Sequence, residues 1–403
     1  MPLYSIFNER KKESKMSGIQ EKASKLQEYL VKTRRHLHEN PESSLKEFET
    51  AAFIQKQLTS FGVPFEKVGE TGTLAIIKGG KGDGRTVLLR ADIDALELPD
   101  CTEKPYASKR PGLNHACGHD AHTAMGLGTA KLLNDIKDTF SGTVKIAFQP
   151  AEEIGAGAKQ FVASGQIDDI DESFAIHVNS SLPVGTFAVQ GGPVNASCDI
   201  FKIKITGKSA HVGRPHLGHD ALVTASETVV ALQTIVAREI NPGDRAVVGI
   251  GKLNAGTRYN IVANDAELEG TIRAFSHETR ADLKEAVTRI ARGVAEMNRC
   301  AFEIDWYDAA APVINTPELA LEFQKAVSEV EGIHQVLKEY DMSMGADDFA
   351  DYLVDKPGVY GLLGSSSSED TSFGHHHEKF DIDESILSVG VSCEVNYILQ
   401  RLS

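Results

Sequence analysis

The chain has 403 residues, which at roughly 150 residues per domain indicates two or three domains. Hydrophobic residues make up 41% and charged residues 25%, as is typical of a soluble globular protein. The net charge of −15 argues against a nucleic-acid-binding protein, which usually carries a basic surface, and it does not favour anionic membranes either.

The N-terminal residues and the cysteines both favour a cytoplasmic protein. No continuous apolar run approaches the roughly 18 residues that span a membrane. Residues 1–18 carry charges where a signal peptide has its apolar stretch, so we expect a frayed tail there. The 5 cysteines are odd in number and widely spaced, which does not indicate a disulfide framework and fits the reducing cytosol.

From about residue 20 the chain alternates helical patterns with short apolar runs. The apolar spacing predicts helices around 26–37 and 48–61, the second of which ends at Gly62. The elements predicted next are strand 86–94, helix 122–136, strand 142–150, a helix closed by Gly165, and strand 173–178. This alternation predicts crossover units, and therefore an α/β fold with a mostly parallel sheet covered by helices.

The pattern changes after Gly191, where the strands begin to alternate in period two. The predicted order is strand CDIFKIKITG, helix DALVTASETVVALQTIVARE, strands AVVGIGKLNAG and AELEGTIRAF, helix ETRADLKEAVTRIARGVAEM, and strand AFEIDWY. This β-α-β-β-α-β order is typical of a ferredoxin-like fold. We therefore predict an inserted ferredoxin-like domain at 194–308 within an α/β domain formed by 20–193 and 309–403.

Beyond Pro312 the first pattern resumes. The sequence predicts a helix at PELALEFQKAVSEV, a helix or turn at GADDFADYL, a strand at 359–364, and a closing helix at SILSVGVSCEVNYILQRL.

Residue types that bind metals follow the ends of several predicted strands, where an open parallel sheet binds its ligands. They come from five segments: Asp92 and Asp94; His115, Cys117, His119, Asp120 and His122; Glu152 and Glu153; His177; and His375, His376 and His377. This coincidence indicates a metal site more strongly than any single motif does.

Each of these residues also has a simpler interpretation. A lone Cys117 is more often a small buried residue, and His177 in an apolar strand is more often a core histidine. Adjacent Glu152 and Glu153 are typical of a solvated helix start. The three histidines at 375–377 are also consistent with a surface tract that scavenges metal ions.

Taken together, the Cys, His and Glu donors suit Zn²⁺, and also Mn²⁺, Co²⁺ or Ni²⁺. Five ligand positions exceed the four of a closed structural zinc site, so a two-metal hydrolytic centre fits better. In such a centre one of the adjacent glutamates can bind metal while the other handles a proton.

Nine motifs of the chain occur in an order known from one group of enzymes. They are RRHLHENPESSLKEFET, RADIDAL, HACGHDAHTAMGLGTAKLL, FQPAEEIGAGAKQFVASG, AIHV, GKSAHVGRP, YNIVAN, GTIRAF and HHEKFDIDE. The set resembles the two-metal amidohydrolases of the aminoacylase/carboxypeptidase clan. The most similar branch contains hippurate hydrolases, bacterial N-acyl-amino-acid amidohydrolases and plant auxin-conjugate hydrolases.

The resemblance implies a catalytic α/β domain with an inserted lid that often forms the interface of a homodimer. It implies two divalent ions per subunit, Zn or Mn above all, bridged by Cys117, with Glu152 as the general base. The remaining metal ligands that it implies are His119, Glu153, His177 and His376. His376 is chosen because the family's ligand lies four residues before an aromatic residue, here Phe380.

Four further positions match the family. Asp94 is expected to orient a ligating imidazole. His211 resembles a residue that reaches the scissile carbonyl, commonly in the partner subunit's active site. Asn260 and Arg273 resemble groups that hold the carboxylate of the substrate, a task to which a guanidinium is geometrically suited. For Arg273, which lies in a predicted strand, the alternative is a cross-strand charge pair.

The expected function is metal-dependent hydrolysis of the amide bond of N-acyl amino acids. A dipeptidase or carboxypeptidase with the same centre is the first alternative. A cysteine hydrolase using Cys117 and His119 is the second, but their spacing rarely lets the imidazole deprotonate the thiol, and Glu153 and His177 would be unused. The third is a non-enzymatic relative, which would be expected to have lost ligands that this chain retains.

Overall fold

A computed structural model of the protein describes residues 18–402, which fall into two units. The first unit extends from residue 18 to Gly192, and it includes Asn315–Asp341 and the chain from Asp351 onward. The second unit consists of Pro193–Ile314 and Met342–Ala350. Residues 1–17, where the sequence predicts a frayed tail, lie outside the described part of the chain.

The longer helices and strands from residue 86 onward follow the alternation that the sequence predicts, whereas the strands at 65–68 and 72–78 and four short strands of three or four residues are not predicted. The helices are α1 (Gln27–Glu39), α2 (Phe48–Phe61), α3 (His119–Asp135), α4 (Gly157–Ala163), α5 (Ala221–Leu232), α6 (Thr234–Arg238), α7 (His277–Met297), α8 (Pro317–Ser328) and α9 (Ile386–Arg401). The strands are β1 (Phe65–Val68), β2 (Gly72–Lys78), β3 (Thr86–Asp92), β4 (Thr143–Gln149), β5 (Glu172–Pro183), β6 (Thr186–Ala188), β7 (Gly192–Asn195), β8 (Cys198–Thr206), β9 (Ala246–Ala255), β10 (Asp265–Ala274), β11 (Ala301–Ala310), β12 (Val313–Asn315), β13 (Gln335–Leu337) and β14 (Gly358–Ser366). The segment GADDFADYL contains a 3₁₀ helix at Asp348–Leu353.

The first unit contains an eight-stranded sheet in the order β1-β2-β4-β3-β5-β14-β6-β13. The neighbouring strands β4, β3, β5 and β14 are parallel, whereas β2 pairs antiparallel with β1 and β4, and β6 with β14. The predicted mostly parallel sheet is therefore confirmed. Because these four strands share one direction, their carboxyl ends meet at one edge of the sheet, with Asp92 opposite Gln149.

Helices cover this sheet, and the strands are apolar accordingly. After the first residue, every residue of β3 and β4 is buried, as expected for strands covered on both faces. The ring of Phe174 on β5 packs edge-on against Phe323 of α8 and Tyr397 of α9, with centroids 5.8 and 4.8 Å apart. All three side chains are essentially fully buried, which stabilises the fold by about 1.5–3 kcal/mol for each large apolar group.

One carboxyl group lies in this core without a cationic neighbour that affects its titration. Glu394 of α9 is buried, and its Oε2 accepts a hydrogen bond of 2.5 Å from Thr129 Oγ1 of α3. Burial raises the pKa of Glu394 to about 8, although the Thr129 hydrogen bond opposes the rise. In the folded state Glu394 therefore keeps its proton at neutral pH, whereas in the unfolded chain it loses the proton near its ordinary pKa of 4.5.

We expect Glu394→Gln to stabilise the protein in a pH-dependent way. The wild type loses stability as the pH rises from about 4.5 to about 8, whereas glutamine keeps the acceptor for Thr129 and has no proton to lose. Relative to the wild type, the variant should gain on the order of 3 kcal/mol between pH 5 and pH 8. Urea-induced unfolding at the two pH values measures this gain. The exposed Glu318→Gln is the control, and an equal gain for both variants would contradict the assignment.

The second unit is built on a four-stranded antiparallel sheet in the order β11-β8-β10-β9. Its elements follow one another as strand, helix, strand, strand, helix, strand, with α5 and α7 packed on each other and on the sheet. Burial alternates along β8 and β10, so each strand presents one apolar face. These faces and the two helices enclose a separate core that contains Phe201, Ile203, Leu268 and Val287.

The stretch Ala221–Arg238, which forms α5 and α6, is the one candidate for a membrane span among the described residues. Its mean hydropathy is 1.2, and 33% of the stretch is buried inside the protein. The stretch is not a continuous apolar run, because Thr224, Glu227 and Gln233 interrupt it. Length and composition alone are weak evidence for a span, since a helix of a soluble protein passes the same test.

Candidate metal centre

The carboxyl edge of the large sheet collects acidic, histidine and cysteine side chains from five segments of the first unit. Arg90 and Asp92 are two residues apart on β3 and so point to the same side of the strand, and Asp94 follows two residues after the strand ends. The side chains that meet at this edge are Asp92 and Asp94, Cys117, His119 and His122, Glu152 and Glu153, His177, and His375 and His376.

A glycine brings Cys117 and His119 together. Gly118 precedes α3 in the left-handed conformation, with φ of +88°, and a Cβ at this position would lie 2.4 Å from Cγ2 of Val178. Only glycine fits such a position without displacing the neighbouring strand. The Cys117 thiol and a ring nitrogen of His119 consequently lie within 4.8 Å of each other.

Two overlapping groups of possible metal ligands share Cys117. One consists of Cys117, His119 and Glu153, and the other of Cys117, His177 and His375, with all ligand atoms of a group within 4.8 Å of one another. A sulfur and a nitrogen bound to the same tetrahedral zinc, at about 2.3 and 2.1 Å, lie about 3.6 Å apart. The distance from Cys117 Sγ to His177 Nε2 is 3.6 Å, so these donors are spaced as two ligands of one ion.

Hydrogen bonds fix which nitrogen of each imidazole can bind metal. His119 Nδ1 lies 3.0 Å from the Asp94 carbonyl oxygen, and His177 Nδ1 lies 2.7 Å from that of Val178. A carbonyl oxygen can only accept, so in each neutral ring Nδ1 carries the proton and Nε2 keeps its lone pair. His119 Nε2 and Glu153 Oε1 are buried without a hydrogen-bond partner among the described residues. A metal ion would satisfy both atoms.

The charges of the site also fit a cation. Burial, together with the negative charges of Asp94 and Asp92, raises the pKa of Glu153 to about 7, and the charge of His119 opposes this rise. Burial and the Glu153 carboxylate raise the pKa of the Cys117 thiol well above its usual value. Burial lowers the pKa of His177, which leaves its ring neutral. A divalent cation would reverse the first two effects, because it favours the thiolate and the carboxylate.

Asp92 and His122 belong to this cluster, although the family resemblance implies a role for neither of them. His122 Nε2 accepts a hydrogen bond of 2.9 Å from the Val178 N–H, so its Nδ1 must carry the proton that Asp92 Oδ1 accepts at 2.5 Å. Both nitrogens are therefore occupied, and His122 links the end of β3 to the strand that carries His177. Arg90 forms an ion pair with the other carboxylate oxygen of Asp92. Asp92 lies two residues before Asp94, and His122 lies three residues after His119 on α3. This spacing is the signal that could have indicated both residues.

The three consecutive histidines have different environments. His376 Nε2 lies 3.4 Å from Glu153 Oε2, and the residue has a left-handed φ of +64°. The ring of His375 is packed against His177 and Phe380, with centroids 5.0 and 5.2 Å away. His377 stacks on Phe373 at 4.7 Å, and its Nδ1 accepts the Lys379 N–H. The structure thus brings His375 and His376 to the cluster, and it gives His377 local contacts instead.

A buried network of ion pairs connects α1 to the start of α3. Arg34 of α1 is fully buried, and it forms ion pairs of 2.8 Å with Asp120 and 2.7 Å with Asp381. His38 Nδ1 lies 2.7 Å from the same Asp120 oxygen that Arg34 contacts. Burial raises the pKa of Asp120, but the Arg34 charge and His38 outweigh it, so the net shift is downward. The motif RRHLH therefore anchors the residue next to His119.

The remaining predicted residues, His211, Asn260 and Arg273, belong to the second unit. His211 forms an isolated bridge with Ile261, and the Val212 N–H donates to the Asn260 carbonyl oxygen, so these two segments are adjacent. The Oδ1 atom of Asn260 is buried without a hydrogen-bond partner among the described residues. Arg273 lies on β10 opposite Val247 of β9, so no charged residue faces it in that register.

Comparison with known proteins identifies relatives along most of the chain. Residues 88–400 match the model of the Peptidase family M20/M25/M40. An N-acetyl-L-cysteine deacetylase of Bacillus subtilis is 38% identical over 365 residues, which cover 90% of this chain and 86% of the relative. Thermostable carboxypeptidase 2 of Saccharolobus solfataricus is 36% identical over 371 residues, covering 91% of this chain and 93% of the relative.

The fold of this chain also resembles that of a solved structure from the same family. The crystal structure of the YXEP protein of Bacillus subtilis, described as a dinuclear metal binding peptidase from the M20 family, superimposes with a TM-score of 0.81 at 35% identity. The match covers 94% of this chain and 99% of that one. The family resemblance that the motifs indicate is therefore confirmed.

Proposed function

The chain belongs to peptidase family M20/M25/M40, and we propose that it is a two-metal amidohydrolase that releases a carboxylic acid and a free amino acid from N-acyl amino acids. The observation that carries this proposal is the position of Cys117, which is shared by two groups of side chains that could each hold a metal ion. The ions of a two-metal site lie about 3.5–4 Å apart, and a side chain that belongs to both groups of donors suits this spacing. The relative named N-acetyl-L-cysteine deacetylase supports the choice of an N-acyl amino acid as substrate.

The residues proposed to hold the two ions are Cys117, His119, Glu153, His177 and His376. Zn²⁺ or Mn²⁺ are the ions we propose first, and Co²⁺ or Ni²⁺ suit the same mixture of soft and hard donors. When bound, such ions polarise the amide carbonyl and lower the pKa of a water molecule. Asp94 holds the His119 ring by its carbonyl oxygen at 3.0 Å and by Oδ1 at 3.3 Å from Nδ1.

Glu152 is proposed as the general base. Its Oε2 lies 4.0 Å from His119 Nε2, and its own N–H donates to Asp94 Oδ1 at 3.1 Å, so its main chain is held beside the ligands. The carboxylate accepts a proton from the attacking water and returns it to the leaving nitrogen, which makes the amino acid a good leaving group. We propose that His211 contacts the scissile carbonyl oxygen, and that Asn260 and Arg273 hold the carboxylate of the substrate.

Residues 194–308, which form most of the second unit, are proposed to act as a ferredoxin-like lid through which two subunits form a homodimer, with 20–193 and 309–403 as the catalytic domain. Its strand order and element order support the ferredoxin-like assignment. On α5, the apolar side chains of Leu222, Val223 and Val230 are exposed, which supports an interface there. The five cysteines are all free, which supports a reducing, cytoplasmic location.

A carboxypeptidase or dipeptidase with the same centre is the alternative, and the 36% identity to a thermostable carboxypeptidase favours it. The deciding experiment measures free amine released from N-acetyl and N-benzoyl amino acids and from dipeptides, after chelation and after addition of Mn²⁺ or Zn²⁺. Chelator-sensitive release from N-acyl amino acids supports the proposal. Cleavage of dipeptides alone would favour the alternative, and no metal-dependent cleavage of either class would contradict both.

We expect His376→Ala to bind one metal ion fewer than the wild type, whereas His375→Ala keeps both. A nitrogen and an oxygen bound to one tetrahedral ion at about 2.1 Å lie about 3.4 Å apart, which is the distance from His376 Nε2 to Glu153 Oε2. Metal content measured by plasma mass spectrometry after dialysis tests this. The opposite pattern would assign the ligand to His375, and His377→Ala serves as a control that should keep both ions.

A further inference from the structure

The turn that carries Glu152 and Glu153 is held by two buried carboxylates. Asp94 accepts the N–H of Glu152 with Oδ1 and the N–H of Glu153 with Oδ2, each at 3.1 Å. Glu47, from the start of α2, accepts the preceding N–H, that of Ala151, with Oε1 at 2.9 Å. Three consecutive N–H groups of this turn therefore end on the oxygens of two acidic side chains.

The Glu47 carboxylate is completely buried, and hydrogen bonds hold both of its oxygens in place. Besides Ala151, Oε1 accepts the N–H of Leu45 at 2.9 Å, and Oε2 accepts the hydroxyl of Thr71 at 2.9 Å. Burying a carboxylate is costly unless hydrogen bonds compensate it, so a residue with only a packing role would more often be apolar.

The conformation of Ala151 shows what this contact holds in place. Ala151 has a left-handed φ of +55°, which is unfavourable for a residue with a Cβ and persists only where the surroundings impose it. Its carbonyl oxygen accepts the N–H groups of Ala156 at 3.1 Å and Gly157 at 3.3 Å. The peptide is thus fixed at both ends, by Glu47 at its N–H and by the following turn at its carbonyl.

We propose that Glu47 is a positioning residue of the metal centre, which fixes the Ala151 turn and through it the carboxylates of Glu152 and Glu153. The inference rests on the proposed function, in which Glu152 is the base and Glu153 a metal ligand. Residues 44–47 support the turn in two ways. Glu47 accepts the Ala151 N–H, and Ser44 donates a hydrogen bond of 2.6 Å to Asp94 Oδ2, which in turn accepts the Glu153 N–H. Glu47 precedes residues 88–400, which match the family model.

Three variants separate positioning from general stability. Glu47→Ala removes all the contacts of the carboxylate. Glu47→Gln can keep them, because its carbonyl oxygen can accept from Leu45 and Ala151 while its amide donates to Thr71. Glu42→Ala is the matched control: Glu42 is a buried glutamate of the same segment whose oxygens accept the N–H groups of Glu49 and Thr50 at the start of α2, not those of the Ala151 turn.

The experiment titrates Mn²⁺ into chelator-treated protein by calorimetry and measures kcat and KM with an N-acetyl amino acid. We expect Glu47→Ala to weaken Mn²⁺ binding about tenfold or more and to lower kcat by about 10–100-fold, as loss of an outer contact to a metal ligand does. KM should change far less than kcat. Glu47→Gln should restore most of both, and Glu42→Ala should lower the melting temperature with Mn²⁺ affinity near that of the wild type.

Wild-type Mn²⁺ affinity and kcat in folded Glu47→Ala would overturn the inference, as would equal losses in Glu47→Ala and Glu42→Ala. If Glu47→Ala does not fold, Glu47→Asp replaces it, because the shorter side chain keeps the charge but cannot reach both Ala151 and Thr71. Unchanged Mn²⁺ affinity in Glu47→Asp would then overturn the inference. A wild type that binds no Mn²⁺ and hydrolyses no substrate would instead count against the proposed function.

Discussion

Glu152→Gln is expected to lower kcat by about 10²–10⁴-fold while the protein keeps its metal ions, because this is the usual contribution of a general base. Glutamine has the shape of glutamate, and the main-chain N–H that donates to Asp94 is unchanged, so the turn should keep its conformation. What the amide lacks is a basic oxygen that can take a proton from water. Steady-state kinetics and metal analysis of the same preparation measure both quantities.

The neighbouring glutamate provides the contrast for this prediction. Glu153 lies near His119 and His376, at 3.9 and 3.4 Å between the closest atoms, and belongs to a group of possible ligands that includes Cys117. Glu153→Gln should therefore lose both metal and activity, whereas Glu152→Gln should lose activity alone. If Glu152→Gln turned over substrate at the wild-type rate, another group would have to be the base. Metal loss in both variants would make Glu152 a ligand as well.

The main features of the fold could be predicted because hydrophobic periodicity is a local signal. Strands such as β3 and β4 are runs of apolar residues long enough to identify, and their parallel arrangement follows from the helices between them. The sequence predicts none of the three-residue strands β6, β12 and β13, because so few residues show no period. The sequence pattern predicts the start of α3 three residues late, because its N-terminal neighbour is the left-handed Gly118 and not a capping side chain.

The general location of the candidate metal ligands could also be predicted, since the carboxyl ends of parallel strands meet at one edge. The details of the site could not. The role of His122 depends on the Val178 N–H, which is 56 residues away along the chain, and Glu47 reaches the Ala151 N–H over 104 residues. Contacts of this kind depend on how distant segments pack, so neither spacing nor composition contains them.

Cys117→Ala is expected to abolish metal-dependent activity, with a loss in kcat/KM of about 10³-fold or more, because it removes the side chain that we propose as the ligand common to both ions. Without the sulfur, no donor is common to the group of His119 and Glu153 and to the group that contains His177. Both ions should bind more weakly, so added Mn²⁺ should raise the melting temperature of the wild type but not of the variant. Cys198→Ala, in the second unit, should behave as the wild type.

Chelation distinguishes this role of Cys117 from that of a nucleophile. The thiol lies 3.6 Å from His177 Nε2, a distance at which a cysteine hydrolase would also place its base, so the loss of activity in Cys117→Ala does not separate the two mechanisms. The pKa of Cys117, however, is raised by burial and by Glu153, which disfavours the free thiolate that a nucleophile needs. We therefore expect wild-type activity to disappear on chelation and to return with Mn²⁺ or Zn²⁺. Activity that survives removal of all metal would assign Cys117 to covalent catalysis instead.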